Sequence, residues 1–286
     1  MGVKGRGVTE PQGLTMALRK ATISTITGFR GNIAMPPEIR VIGVEEMPEI
    51  KEGDDLAVHI MDAAQQQGTP IESRDVIVVT QKIVSKAEGR VVSIDSVEPS
   101  PLALSISEGH RRDPRHTELI LRESKRIVRM DRGVIISETY HGFNCANAGI
   151  DASNIPGSGM VALLPVDPDA SARRIRQAIK ERLDADVAVL ISDTFGRPWR
   201  NGATNVAIGV AGFNPMLSYV GKEDCYGNLM YTTVICVADE LAAAAELVTG
   251  KVMGVPVAII KGYPYAPVED ATNQALVRDP DKDLFR

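Results

Sequence analysis

Hydrophobic and polar positions along the chain predict a succession of strands and helices. Apolar and polar residues alternate over 40–50, as in a strand with one buried face. Continuous apolar runs predict fully buried strands, which cover 76–79, 160–166, 186–192 and 255–262. Predicted helices cover 51–68, 114–130, 167–183 and 239–250. This order of elements predicts a protein that mixes helices and strands.

The best-defined helix lies between two of the buried runs. Asp167 can cap its first turn, and Pro168 suits the first helical position. Apolar residues such as Ile179 and Leu183 recur at helical spacing. A strand, a helix and a second strand in this order form a βαβ unit, and such units are parallel and right-handed. Residues 160–192 are therefore predicted to form a local βαβ unit.

Composition narrows the class of protein. The 286 residues carry a net charge of −5, which does not favour a nucleic-acid partner. No apolar run approaches the ~18 residues that span a bilayer, so no membrane segment is expected. The 3 cysteines are odd in number and form no CxxC pair, which predicts a reducing, cytoplasmic setting. Residues 1–39 are rich in basic residues, Gly and Pro, and are predicted to be a variable or poorly ordered extension.

Two polar segments could bind a phosphorylated ligand. "SKAEGR" places Lys86 just after a predicted strand, where an ammonium group can meet a phosphate. A solvated loop lysine is the alternative. "NCANAGIDASN" concentrates short side chains that carry oxygen atoms. Asp151 could bind a hard divalent cation, and Asn154 could bind a nucleotide, although a set of Asx turns would explain the same composition.

A third segment, "ISDTFGRPWRNG", follows the buried run 186–192. Ligands of βαβ units gather at the carboxyl ends of strands, and Asp193 lies at such an end. A carboxylate there can hold the metal of a phosphate chain, with the Thr194 hydroxyl beside it. Arg197 and Arg200 could neutralise phosphate charge. The alternative is that Asp193 caps a helix or pairs with Arg197.

The fourth segment, "TGKVMGVP", contains two glycines that would let the backbone approach a ligand. Gly250 is equally suited to end the preceding helix. The sequence contains neither a GxxxxGK[ST] phosphate loop nor a GxGxxG fingerprint nor a GxSxG elbow. Together, the four segments indicate an enzyme that uses a nucleotide and a divalent metal without a standard phosphate loop.

The segments "VTQKIVSKAEGR", "NAGIDASNIP", "LLPVDPDASARRIR" and "ISDTFGRPWRNGATNVAIGVAG" occur in an order that resembles the coenzyme F420-0:L-glutamate ligase family. The resemblance extends from about Arg40 to about Tyr263. It implies an α+β fold of its own type, with mixed sheets, in an intertwined homodimer, and it assigns residues 40–286 to the ligase domain. It also implies a GTP-dependent ligase that adds L-glutamate to F420-0, with two Mg²⁺ or Mn²⁺ ions and K⁺.

The resemblance also implies roles for individual positions. Asp151, Asp193 and Thr194 would bind metal, together with the backbone of Val252. The residues that would contact GTP are Met47, Pro48, Glu49, Ile50, Gln81, Lys86, Asn154, Gly250, Lys251, Val252, Met253, Gly254, Val255 and Pro256. From their charge and location, Arg197 and Arg200 are expected to bind phosphate or a substrate carboxylate.

Two other functions fit the same residues. One is a GTP-dependent ligase of the same chemistry that joins a different acid and amine. The other is a nucleotide-binding homologue without catalytic activity. The presence of Lys86, Asp151 and Asp193 argues against the second.

Overall fold

The structure is a computed structural model that describes residues 37–109 and 112–284. Most of the predicted extension, residues 1–39, lies outside the described residues. The strands are β1 Arg40–Val44, β2 Val76–Thr80, β3 Val91–Ser93, β4 Ser124–Asp131, β5 Val134–Thr139, β6 Asn144–Ala146, β7 Met160–Ala162, β8 Ala188–Arg197, β9 Arg200–Phe213, β10 Met216–Ser218, β11 Val234–Cys236, β12 Val257–Lys261 and β13 Pro267–Val268. The α-helices are α1 Leu56–Gln66, α2 Gln81–Ala87, α3 Pro101–Ser107, α4 Pro114–Arg122, α5 Pro168–Leu183 and α6 Val237–Thr249.

A six-stranded mixed sheet forms the centre of the molecule, in the order β1-β12-β2-β8-β9-β13. Only β2 and β8 are parallel among its strand pairs in the described part of the chain. Three smaller antiparallel sheets consist of β3 with β7, β10 with β11, and β4 with β5 and β6. The structure therefore mixes helices with several sheets, as the sequence predicts.

The central strands are apolar throughout because protein covers both faces of the sheet. Successive side chains of a strand point to opposite faces. Ile77 and Val79 of β2 pack into the core that includes α1 and α5, whereas Val76 and Val78 pack into the core that includes α6. The long apolar runs of the sequence are thus explained by a sheet between two helical layers.

The predicted capping of α5 and α6 is confirmed. The Asp167 carboxylate accepts a hydrogen bond from the Ala170 backbone N–H, and Pro168 is the first residue of α5. Gly250 ends α6 with a φ of 55°. These boundaries were predictable because a cap depends on residues that are adjacent in the sequence.

The predicted βαβ unit over 160–192 is wrong. β7 pairs with β3 in a separate two-stranded sheet, whereas β8 joins the central sheet and runs parallel to β2. Helix α5 therefore leads into a strand that pairs with β2. Because β2 ends at Thr80, residues 81–167 separate it from α5 in the sequence. An apolar run predicts that a strand is buried but not which strand it pairs with.

Several predicted elements are shorter than their apolar patterns, among them the strand predicted over 160–166, which is Met160–Ala162. The strand predicted over 40–50 ends at Val44. The helix predicted over 114–130 ends at Arg122, and Ser124–Asp131 then form β4 against β5. Residues of β4 gain cross-strand partners from β5, and this non-local pairing overrides local helical preference. Within the described residues, no helix has the length and apolar character needed to cross a bilayer.

Gly209 marks a close contact between β9 and the start of α5. A Cβ atom there would lie 2.5 Å from the backbone carbonyl atoms of Pro168, which cannot rotate away. We expect Gly209→Ala to destabilise the protein by about 2 kcal/mol and to lower Tm by about 4–8 °C. Thermal unfolding followed by circular dichroism measures this. Gly196→Ala is the matched control, because no heavy atom lies within 4 Å of its added Cβ.

Candidate active site

A cavity of about 520 Å³, here called the main cavity, lies where the parallel pair β2–β8 ends. Thr80 of β2 and the neighbouring Ser192 and Asp193 of β8 line it. Its other walls come from segments that are distant in sequence, namely 47–50, α2, 154–156 and 249–256. The tertiary structure thus brings most of the predicted functional segments together around one cavity.

Asp193 is the first residue of β8 beyond its parallel pairing with β2. The last pair of that ladder is Thr80 with Ser192, and β8 continues to Arg197 as one arm of a hairpin with β9. The prediction that Asp193 follows the end of its own strand is therefore wrong, because Asp193 lies within β8; it comes directly after the last residue that pairs with β2. The pKa of Asp193 is raised to about 6, mainly by burial and also by the nearby charge of Asp151, although the Thr194 backbone N–H and the charges of Lys82 and Lys251 oppose the rise.

Asp151 lies beside Asp193 and is held by Lys82. The Lys82 ammonium lies 2.6 Å from Asp151 Oδ2 and donates to Ser153 Oγ at 2.6 Å. The Ser153 backbone N–H donates to Asp151 Oδ1 at 2.7 Å. Although burial opposes it, these donors keep the pKa of Asp151 below its usual value. Asp151 is therefore an ionised carboxylate at the edge of the main cavity.

Lys82 is a functional candidate that sequence reasoning missed. It lines the main cavity and is one helical turn before Lys86 on α2. Residues four apart share a face of a helix, so both ammonium groups reach the same cavity. This spacing was the missed signal, because no helix was predicted between the strand at 76–79 and Lys86. The alternative of a loop lysine is wrong, since α2 begins at Gln81 and includes Lys86.

Thr194 faces the main cavity from the next position along β8. Its hydroxyl donates to Asn205 Oδ1 at 2.5 Å, and the Lys251 ammonium contacts its Oγ1. Asn205 lines the cavity from β9 and is almost fully buried, and its backbone N–H donates to Glu246 of α6 at 3.1 Å. Asn205 was not singled out from the sequence, because nothing local marks an asparagine within an apolar strand as a partner of Thr194.

The opposite wall consists of the segment 47–50 and α2. Met47, Pro48, Glu49 and Ile50 all line the main cavity. The Lys86 ammonium lies 2.7 Å from Glu49 Oε1. This ion pair holds the lysine side chain, which is only 11% exposed, at the cavity wall.

The glycine turn after α6 forms the remaining wall. Gly250, Lys251, Gly254, Val255 and Pro256 line the main cavity. The turn is tied to the loop after Asp151, because Asn154 Nδ2 donates to the Lys251 carbonyl oxygen at 3.0 Å. It is also tied to β2, because the Thr80 backbone N–H donates to the Pro256 carbonyl oxygen at 2.9 Å.

Six predicted residues are not among those that line the main cavity, and one of them, Asp151, lies at its edge beside Lys82. Gln81 is 1% exposed and accepts a hydrogen bond from the Ser85 hydroxyl inside the protein. Val252 and Met253 point outward, with 93% and 64% of their surfaces exposed. Arg197 and Arg200 are exposed at the tip of the β8–β9 hairpin, where Arg197 donates to the Asn201 carbonyl oxygen at 2.9 Å.

The main cavity offers hard oxygen donors for a divalent cation. Asp151 and Asp193 supply carboxylates, and Thr194 supplies a hydroxyl. The described residues contain no group of three or more His, Cys, Asp or Glu that could hold a metal ion by themselves. Mg²⁺ typically uses one or two carboxylates and completes its shell with water and substrate phosphates. This donor set therefore fits a metal that is bound together with a phosphorylated ligand.

Three ammonium groups belong to residues that line the same cavity, namely Lys82, Lys86 and Lys251. Cations at the wall and carboxylates at the strand end are the combination with which proteins hold a nucleotide phosphate chain and its metal. The geometry favours a phosphorylated ligand over an uncharged one.

Known proteins are similar to this chain over most of its length. The sequence profile described as F420-0:Gamma-glutamyl ligase matches residues 45–262. A coenzyme F420:L-glutamate ligase of Methanothermobacter thermautotrophicus is 47% identical over 250 residues, which cover 87% of this chain and 99% of the relative. The ligase of the same name from Methanopyrus kandleri is 41% identical over 254 residues, with 87% and 98% covered. That of Methanocaldococcus jannaschii is 38% identical over 250 residues, with 87% and 97% covered. Because the match includes every wall of the main cavity, the chain belongs to the F420-0:gamma-glutamyl ligase family of enzymes.

Proposed function

We propose that the protein joins the amino group of L-glutamate to a carboxylate of F420-0, extends the product through γ-linkages, and consumes GTP. The names of its relatives support the acid and the amine. The single observation that carries the nucleotide dependence is the main cavity, where three lysines and two carboxylates meet at the end of a parallel strand pair. GDP and phosphate are the other products.

The nucleotide would lie between the segment 47–50, α2 and the glycine turn. Lys82, Lys86 and Lys251 would neutralise phosphate oxygens, and Asn154 would bind the nucleotide while bracing the turn. The exposed side chains of Val252 and Met253 leave only their backbone for such a contact. The contact between Gln81 and GTP stays a prediction. The side chain of Gln81 lies inside the protein.

Asp151, Asp193 and Thr194 would hold Mg²⁺ or Mn²⁺, as the two carboxylates and the hydroxyl permit. When bound, the two divalent ions would neutralise the charge that develops on the phosphoryl oxygens. A backbone ligand from Val252 and a K⁺ ion belong to the same proposal.

The chemistry requires activation, because a carboxylate is a poor electrophile. A carboxylate oxygen of F420-0 attacks the γ-phosphorus of GTP, the bond to the bridging oxygen breaks, and GDP leaves. The glutamate amine then attacks the carbonyl carbon of the acyl phosphate, the carbon–oxygen bond to phosphate breaks, and the amine releases a proton. The protein contributes by positioning both reactants and by neutralising charge with its lysines.

The test is to incubate the protein with GTP, Mn²⁺, L-glutamate and F420-0 and to measure product masses. We expect a mass increase of one glutamate residue, or of several, together with GDP. ATP in place of GTP, and omission of Mn²⁺, are the controls that test the nucleotide and metal. GDP release only with another acid would favour the alternative ligase. Absence of GDP with any acceptor would favour a non-catalytic homologue.

The family resemblance also leads us to propose that the protein is an intertwined homodimer. Sedimentation equilibrium or light scattering of the full chain measures its mass in solution. A monomeric mass at micromolar concentration would contradict the proposal.

Arg197 and Arg200 remain proposed ligands of a phosphate or of a substrate carboxylate. Two observations support this role: both side chains are positively charged, and both lie on the hairpin that also includes Asp193. We expect Arg197→Ala to raise the Michaelis constant of F420-0 or GTP by about 10-fold, the effect of one lost charged hydrogen bond. Unchanged turnover and Michaelis constants would remove Arg197 from the proposed site.

A further inference from the structure

A second cavity, of about 410 Å³, lies on the other side of the loop that follows Asp151. We call it the Arg112 cavity, because Arg112, Asp113 and His116 supply its ionisable side chains. Gly157 and Gly159 line it with φ values of 97° and 72°, a backbone conformation that other residues rarely adopt. The wall thus combines glycine backbone and apolar side chains with three ionisable groups.

Arg112 has no acidic partner among the described residues. Its guanidinium donates to the neutral amide oxygen of Asn147 at 2.9 Å and forms no ion pair with a described carboxylate. The side chain is only partly exposed, and burial lowers its pKa. A partly buried cation without a counter-ion favours an anionic ligand.

The one described acid that lines the Arg112 cavity, Asp113, is bound by a different arginine, Arg115. Asp113 accepts hydrogen bonds from the Arg115 guanidinium at 2.7 Å and from the Arg115 backbone N–H at 2.9 Å. Arg115 also binds Asp95 at 2.6 Å, so two carboxylates share one guanidinium. Arg112 borders a smaller cavity of about 280 Å³ as well, and Asp131 and Arg132 line that one too. In the cavity that it shares with His116, Arg112 is the arginine without an ion pair to a described carboxylate.

One loop separates the Arg112 cavity from the main cavity. Ala152 lines the first, and Asn154 lines the second. Two residues along a chain place their Cα atoms within about 8 Å of each other. A ligand in the Arg112 cavity would thus lie one loop away from the carboxylates and lysines of the main cavity.

We propose that the Arg112 cavity binds the carboxylate or phosphate group of an acidic substrate, through the Arg112 guanidinium and His116. The inference rests on the proposed function, because its ligand is a substrate of that reaction. Two substrates carry such a group, L-glutamate and F420-0. Bidentate binding of a carboxylate or phosphate suits arginine in particular, so the geometry of the guanidinium matters as well as its charge.

Steady-state kinetics of Arg112→Gln test the proposal. The Michaelis constant of one acidic substrate is expected to rise by about 10- to 100-fold, whereas that of GTP changes by less than about 2-fold. A rise for L-glutamate assigns the cavity to the amino acid, and a rise for F420-0 assigns it to the acceptor. Arg112→Lys keeps the charge and is expected to restore part of the affinity. Arg173→Gln, an exposed arginine on α5 outside these cavities, is the control for lost charge.

A second measurement needs no variant and no turnover. Phenylglyoxal modifies accessible arginines, and peptide mass spectrometry measures the modification of Arg112 in the wild-type protein. We expect L-glutamate or F420-0 to slow that modification, and GTP to leave it unchanged. Protection without product formation would support the cavity and contradict the proposed reaction. Product formation with neither protection nor a rise in either Michaelis constant would overturn the cavity and leave the reaction intact.

Discussion

Asp193→Asn is expected to lower product formation by at least about 10³-fold while leaving the protein folded. Asn keeps the shape of the side chain but removes the negative charge that a divalent cation needs, and metal stabilisation contributes several kcal/mol to such transition states. The fold should tolerate the change because ionisation of Asp193 is already opposed by burial and by Asp151. We therefore expect Tm to be unchanged or higher.

Calorimetric titration with Mn²⁺ in the presence of GDP provides a second readout for Asp193→Asn, and we expect weaker binding. Asp62→Asn makes the same chemical change at an exposed position of α1 and should leave both activity and Mn²⁺ binding intact. Wild-type turnover in Asp193→Asn would contradict a role for this carboxylate, and so would wild-type Mn²⁺ binding.

Lys82→Met is expected to lower kcat by about 10²- to 10³-fold, the usual loss when one preorganised donor to a developing negative charge is removed. The ammonium lies 2.6 Å from Asp151 and lines the main cavity, so it is placed to serve both the carboxylate and a phosphate. Met keeps the apolar stem of the side chain, and circular dichroism should report an unchanged fold. Lys180→Met, at an exposed position of α5, controls for loss of one positive charge.

A double-mutant cycle separates the two roles of Lys82. If it acts mainly by holding Asp151, Lys82→Met will add little to the loss already caused by Asp151→Asn. If it acts directly on phosphate, the two losses will multiply, and the Michaelis constant of GTP will also rise. Normal kcat in Lys82→Met would remove this residue from the candidate site.

Much of the site was predictable because its candidate metal ligands occur in short, polar segments of the sequence. Asp151, Asp193 and Thr194 stand in polar clusters next to apolar runs, where a residue that only filled a core would not occur. The structure brings Asp193 and Thr194 to the main cavity and places Asp151 beside Lys82 at its edge. The sequence does not show that Gln81 is buried or that Val252 and Met253 are exposed, because the direction of a side chain depends on contacts with neighbouring elements. Their contacts with GTP stay predictions.

Other partners could not be predicted because they are distant in sequence. Lys82 and Asp151 are 69 residues apart, and Asn154 and Lys251 are 97 apart. The pattern of apolar and polar residues cannot predict these contacts, since it describes one helix or strand at a time. The same limit explains the wrong βαβ unit, in which two real strands were assigned to one sheet.

The sequence by itself determined the existence of most core elements, the caps of α5 and α6, and the residue types available for metal and phosphate chemistry. These depend on neighbouring residues and on side-chain chemistry. The tertiary structure alone decided that β8 pairs with β2, that α2 turns two lysines toward Asp151 and the main cavity, and that Arg112 faces a second cavity without an acidic partner among the described residues. Such contacts arise when surfaces far apart in the chain are buried against each other, and the free energy of that packing belongs to the whole fold.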